Sequence, residues 1–131
     1  MNATGTGRLA LIVEDNERNL RLARDVLEFH GFRTLAATSG EEGMDLARSH
    51  RPDVVLTDIA LPGMDGVAVV RALKADPATA GIPVVALTAS VMQSDRDRFD
   101  GAGFAGLIAK PIDVLTFGQT VAGYCAADPT T

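Results

Sequence analysis

Leu9-Ala10-Leu11-Ile12-Val13-Glu14-Asp15 is an unbroken apolar run that ends on two carboxylates, and its reading decides the fold. Three further runs stop in the same way: Val54 to Thr57 at Asp58, Val84 to Leu87 at Thr88, and Leu107 to Ala109 at Lys110. Continuous short apolar runs without alternation are what strands buried on both faces look like, and such strands are usually parallel. Parallel strands bring their carboxyl ends to one edge of the sheet. Three carboxylates, a hydroxyl and an ammonium then converge in the crevice where open α/β sheets hold their ligands.

Outward from these runs, the intervening segments carry apolar residues at helical spacing, so the chain alternates strand and helix five times. Asn16 or Asp15 caps a first helix that buries Leu20, Ala23, Val26 and Leu27 and ends at His30-Gly31. A strand over Phe32 to Ala36 follows, then a helix from Ser39 to about His50, stopped by Pro52. The third helix is expected to start near Met64, bury Val67, Val70 and Leu73, and stop at Asp76-Pro77. Val91 to Asp100 is a polar fourth helix, held only by Val91, Met92 and Phe99. The last helix carries an apolar stripe of Val114, Phe117, Val121 and Tyr124. Right-handed crossovers place helices on both faces, which makes the fold class a three-layer α/β doubly wound parallel sheet.

At 131 residues the chain fits one domain, with a disordered tail over 1–7, the folded unit over 8–125 and a second tail over 126–131. The single cysteine, Cys125, permits no disulfide framework and points to a reducing, cytoplasmic setting. There is no signal peptide pattern and no run long enough to span a membrane. A net charge of -5 lacks the basic footprint of a nucleic-acid surface. His30 and His50 fall at helix ends, where a partly positive ring suits the dipole.

Singly, each strand-end residue has an ordinary structural reading as a cap or a solvated loop group. Together they match one chemistry. Crowded carboxylates must take up protons or bind a cation, and Mg²⁺ with oxygen ligands resolves the repulsion. Asp58 is the nucleophile toward phosphorus, since Asp58-Ile59-Ala60-Leu61-Pro62-Gly63 turns away and leaves its side chain at the crevice mouth. Glu14 and Asp15 hold the metal, and the Ala60 carbonyl adds a neutral oxygen. Lys110 and Thr88 meet the phosphoryl oxygens. The Lys110-Pro111 bond is a candidate for the cis form.

Leu11-Ile12-Val13-Glu14-Asp15-Asn16, Leu56-Thr57-Asp58-Ile59-Ala60-Leu61-Pro62-Gly63-Met64-Asp65-Gly66, Ala86-Leu87-Thr88-Ala89 and Lys110-Pro111-Ile112 together resemble the receiver domain of two-component response regulators. The resemblance runs from about Arg8 to Tyr124, and within the family it is most similar to small stand-alone receivers of the DivK kind. It implies a flavodoxin-like fold with five strands in the order 2-1-3-4-5 and phosphorylation of Asp58, with Mg²⁺, by a sensor histidine kinase or histidine phosphotransfer protein. It also implies slow self-catalysed dephosphorylation, and an output face on the fourth helix, fifth strand and fifth helix. Partners are then the phosphodonor and a downstream protein effector, with the chain a monomer or weak dimer. One departure stands out. The position three before the lysine, aromatic in many receivers, is Leu107, so either Leu107 makes a smaller packing change or signalling runs through the loop after Thr88 without it.

Two rivals differ in class. A phosphohydrolase of the haloacid dehalogenase kind resembles this chain in its aspartate after an apolar strand, but the second acid expected two residues on is Ala60. A phosphorylation-independent interaction module would keep the fold without the chemistry, and the chain would also suit the receiver segment of a hybrid kinase. No glycine-rich phosphate loop supports nucleotide binding.

Overall fold

Each of the four apolar runs is a strand in the computed structural model, which describes residues 7–61, 65–89 and 102–125. The strands are β1 (Leu9–Val13), β2 (Arg33–Ala37), β3 (Val54–Asp58), β4 (Val84–Thr88) and β5 (Gly106–Ala109). All pair in parallel in the order β2-β1-β3-β4-β5. The described helices are α1 (Glu17–Phe29), α2 (Gly40–His50), α3 (Gly66–Ala75) and α4 (Phe117–Tyr124). Residues 1–6 of the expected tail over 1–7, the expected tail over 126–131 and the expected helix over Val91 to Asp100 lie outside the described residues, while Gly7 is described and donates its N–H to the Gly31 carbonyl at 3.1 Å.

Alternation along each strand divides the core in two. Leu11, Val13, Val55 and Val84 face Val69, Val70 and Leu73 of α3 and Ala47 of α2. Ala10, Ile12, Leu56, Val85 and Leu87 face Ala23 and Leu27 of α1 and Phe117 and Val121 of α4. Both faces of the central strands are sealed, which is why their sequences are apolar without interruption. Burying a side chain such as Leu56, 0% exposed, contributes about 1.5–3 kcal/mol relative to leaving it in water.

Local chemistry sets the element boundaries. Asn16 caps α1, its Oδ1 accepting the Asn19 N–H at 3.1 Å. Ser39 caps α2, and Glu42 reaches back to the Thr38 N–H at 2.8 Å. Arg51, at φ 46°, turns the chain out of α2 one residue before Pro52. Asp65 caps α3, which starts at Gly66 and ends at Ala75 before Asp76-Pro77 as expected. The strand β2 starts at Arg33, because the Phe32 N–H is taken by the Leu27 carbonyl at 3.0 Å.

The last helix begins later than its stripe predicts. Asp113 organises a turn in which its Oδ1 accepts the Leu115 N–H at 2.9 Å and its carbonyl accepts the N–H groups of Thr116 and Phe117. Val114 therefore lies outside the helix and is 49% exposed, while Phe117 and Val121 are buried.

Candidate functional site

The carboxyl ends of β1, β3 and β5 carry the site. Glu14 follows β1, held by its N–H on the Ala37 carbonyl at 2.9 Å, and its side chain is only 1% exposed. Asp15 is exposed beside it. Asp58 is the last residue of β3, opposite Leu87 of β4, and its side chain keeps 11% of its surface open. Carboxylate oxygens of Glu14, Asp15 and Asp58 lie within 4.8 Å of one another.

Lys110 enters from beyond β5. Its Nζ lies 3.0 Å from Asp58 Oδ2 and 3.1 Å from Glu14 Oε1. Its backbone N–H donates to the Thr88 carbonyl at 2.8 Å, which ties the lysine to the end of β4. Thr88 is buried there, paired with Ala109. The Lys110-Pro111 peptide bond is cis, as the sequence allowed. Ala60, exposed in the turn after β3, donates its N–H to Asp58 Oδ1 at 3.2 Å.

The electrostatics describe a site short of positive charge. Burial, and then the hydrogen bond with Asp58, push the Glu14 carboxyl up to about 7, against the lowering donors Asn19 and Lys110. Burial works to lower the Lys110 ammonium, but its hydrogen bonds to Asp58 and Glu14 outweigh that and raise it. Three carboxylates face one ammonium, so the cluster gains most from a divalent cation with a preference for oxygen. The donor set fits Mg²⁺, and the acidic triad matches the Mg²⁺-coordinating site of receiver domains.

Two residues that the strand-end pattern passes over complete the site. Asn19 Nδ2 donates to Glu14 Oε1 at 2.8 Å. Gly66 lets the start of α3 press on the backbone behind the nucleophile: a Cβ there would sit 2.7 Å from the Asp58 carbonyl and 2.9 Å from Ile59 Cα. The signal for Asn19 was its place in the first turn after a capping asparagine. Nothing local marks the contact of Gly66. Leu107 is partly buried in β5 opposite Ala86, and Phe104 packs against the α2/α3 side of the core.

Comparison with known proteins agrees with this geometry. The profile of the response regulator receiver domain matches residues 10–122. The polar-differentiation response regulator DivK of Brucella anthropi is 45% identical over 114 residues, 87% of this chain and 93% of the relative. A receiver domain of a sensor histidine kinase from Pseudomonas aeruginosa, solved with magnesium in its active site cleft, superposes with a TM-score of 0.83 at 29% identity, covering 91% of this chain and 98% of that one. The chemotaxis response regulator CheY4 of Vibrio cholerae shares the fold, with a TM-score of 0.85 at 24% identity over 91% of this chain and 99% of that one. Receiver domains of this family act as phosphoacceptor switches, and by profile match, by relatives and by its clustered acidic triad this chain belongs to the response regulator receiver family.

Proposed function

We propose that Asp58 accepts a phosphoryl group from a phosphohistidine of a sensor histidine kinase or histidine phosphotransfer protein in the cytoplasm, and that the modified chain changes its affinity for a protein effector. One observation carries this reading: Asp58, at the crevice mouth with only 11% of its side chain exposed, contacts Lys110 at 3.0 Å, and the lysine in turn lies 3.1 Å from the buried Glu14.

Mg²⁺, when bound by Glu14, Asp15, Asp58 and the Ala60 carbonyl, supplies charge neutralisation for the phosphoryl oxygens. The protein's own residues do the rest. The Ala60 N–H steadies Asp58 Oδ1. A carboxylate oxygen of Asp58 attacks phosphorus, the P–N bond breaks, and its electron pair leaves on the donor imidazole, giving an aspartyl phosphate. Lys110, now paired with carboxylates, gains a phosphoryl oxygen as a partner, and the Thr88 hydroxyl donates to another. Thr88 ends β4 and its carbonyl holds the Lys110 N–H, so movement there reaches β5 and its neighbours. The output face includes β5 and α4; the expected fourth helix, which the resemblance adds to it, lies outside the described residues. Leu107 supports a smaller packing change than an aromatic ring would make.

The test is incubation with Mg²⁺ and a small phosphodonor, read by intact mass. One phosphoryl group adds to the wild type and none to Asp58→Asn; a modification that survives the substitution, or that ignores Mg²⁺ removal, overturns the reading.

A further inference from the structure

We infer that Asn19 is a positioning residue that holds the Glu14 carboxylate in place for the divalent cation. The inference rests on the phosphoacceptor reading of Asp58 and adds a component to it. Asn16 caps α1, so Asn19 is the third residue of the helix, and its backbone N–H is already satisfied by Asn16 Oδ1 at 3.1 Å. A polar side chain at that position ordinarily turns back to the N–H of the capping residue. Asn19 instead reaches past the cap, and its Nδ2 donates to Glu14 Oε1 at 2.8 Å. The direction follows from helix geometry. Side chains lean toward the amino end of a helix, and the amino end of α1 abuts the end of β1.

The two donors on Glu14 Oε1 are not equivalent. Lys110, at 3.1 Å, is shared with Asp58 and in the proposed reaction turns to a phosphoryl oxygen. Asn19 is neutral and anchored by its helix, so it stays with Glu14 whatever Lys110 does. Glutamate has one more torsion than aspartate, and ordering it costs rotamer entropy that a preset hydrogen bond offsets. An amide donor also favours the ionised carboxylate that a cation requires. Hydrogen-bond partners of metal-binding carboxylates typically carry 10–100-fold in metal affinity, which sets the scale of the expected effect.

The experiment titrates Mg²⁺ into the unphosphorylated full chain by calorimetry, for wild type, Asn19→Ala and Asn19→Gln, with thermal melts of each. Arg18→Ala, an exposed change on the same turn, is the control. Asn19→Ala is expected to weaken Mg²⁺ about 10-fold, with part of the loss recovered by Asn19→Gln, which keeps the amide donor. A role confined to starting the helix would shift the melting temperature and leave Mg²⁺ affinity unchanged, and that result overturns the inference. Labelling at Asp58, run in parallel, separates the two claims. Wild-type labelling with unaltered Mg²⁺ binding in Asn19→Ala defeats the positioning role alone; a wild type that binds no Mg²⁺ defeats both.

Discussion

Lys110 and Lys74 are both partly buried lysines, but they sit at opposite edges of one sheet and are satisfied in opposite ways. Lys74, in the last turn of α3, donates to the carbonyls of Ala80 and Ile82 at 3.0 and 2.9 Å, six and eight residues along the chain. Its stem lies against Gly103, and its partners are neutral backbone groups that close the loop into β4. Lys110 meets side-chain carboxylates from β1 and β3, the first of them 96 residues away. At the amino edge the polar groups are paired for good. At the carboxyl edge an excess of negative charge is left for a ligand to neutralise, and that difference separates scaffold from site.

The sharpest way to break the comparison is Gly66→Val, which puts a branched side chain against the Asp58 carbonyl and Ile59. Overpacking against backbone is expected to destabilise the fold by about 3 kcal/mol in urea melts and to abolish labelling of Asp58. Wild-type stability in this variant would show that α3 does not brace the site.

A smaller effect should come from the other edge. Lys74→Met keeps the apolar stem and removes both hydrogen bonds, at an expected cost of about 1–2 kcal/mol. The labelling rate at Asp58 should not change. If it falls, the two edges are coupled and the division between scaffold and site fails.

The smallest effect is a pair of opposed pH slopes. Glu14 is raised from 4.5 to about 7 in the folded protein, so the folded state holds more protons than the unfolded chain between those values. In the absence of Mg²⁺, this group's contribution is fully present below about 4.5 and is lost as pH rises through about 7. Mg²⁺ should flatten the slope by taking the proton's place, and Glu14→Gln should remove it. Asp76 is lowered, chiefly by the Ala78 N–H and then by Arg48, so its contribution is lost as pH falls through its folded value. Melting temperatures against pH for wild type, Glu14→Gln and Asp76→Asn distinguish the two. Slopes of the same sign would contradict the assignment.

Much of the fold was legible because the central strands are buried on both faces, so each of the four runs appears as an uninterrupted apolar word ending in a polar letter. The caps at Asn16 and Ser39 and the stop at Asp76-Pro77 were legible for the same kind of reason: their chemistry is contained within a few residues. Val114 misled, since spacing at three and four continues its stripe while the Asp113 turn takes the backbone out of the helix. Periodicity reports a face; it does not report where the first helical hydrogen bond forms.

The sequence by itself determined which side chains stand at the strand ends, because a buried strand leaves no other place for a charge. Only the tertiary structure decided how the elements press on one another: Gly66 behind Asp58, Gly118 beneath the His30 ring and Gly106 beneath Tyr124. The contact of Gly118 with His30 joins elements that the crossovers bring together from 88 residues apart. Where a small residue is required by a partner far along the chain, no local pattern records it.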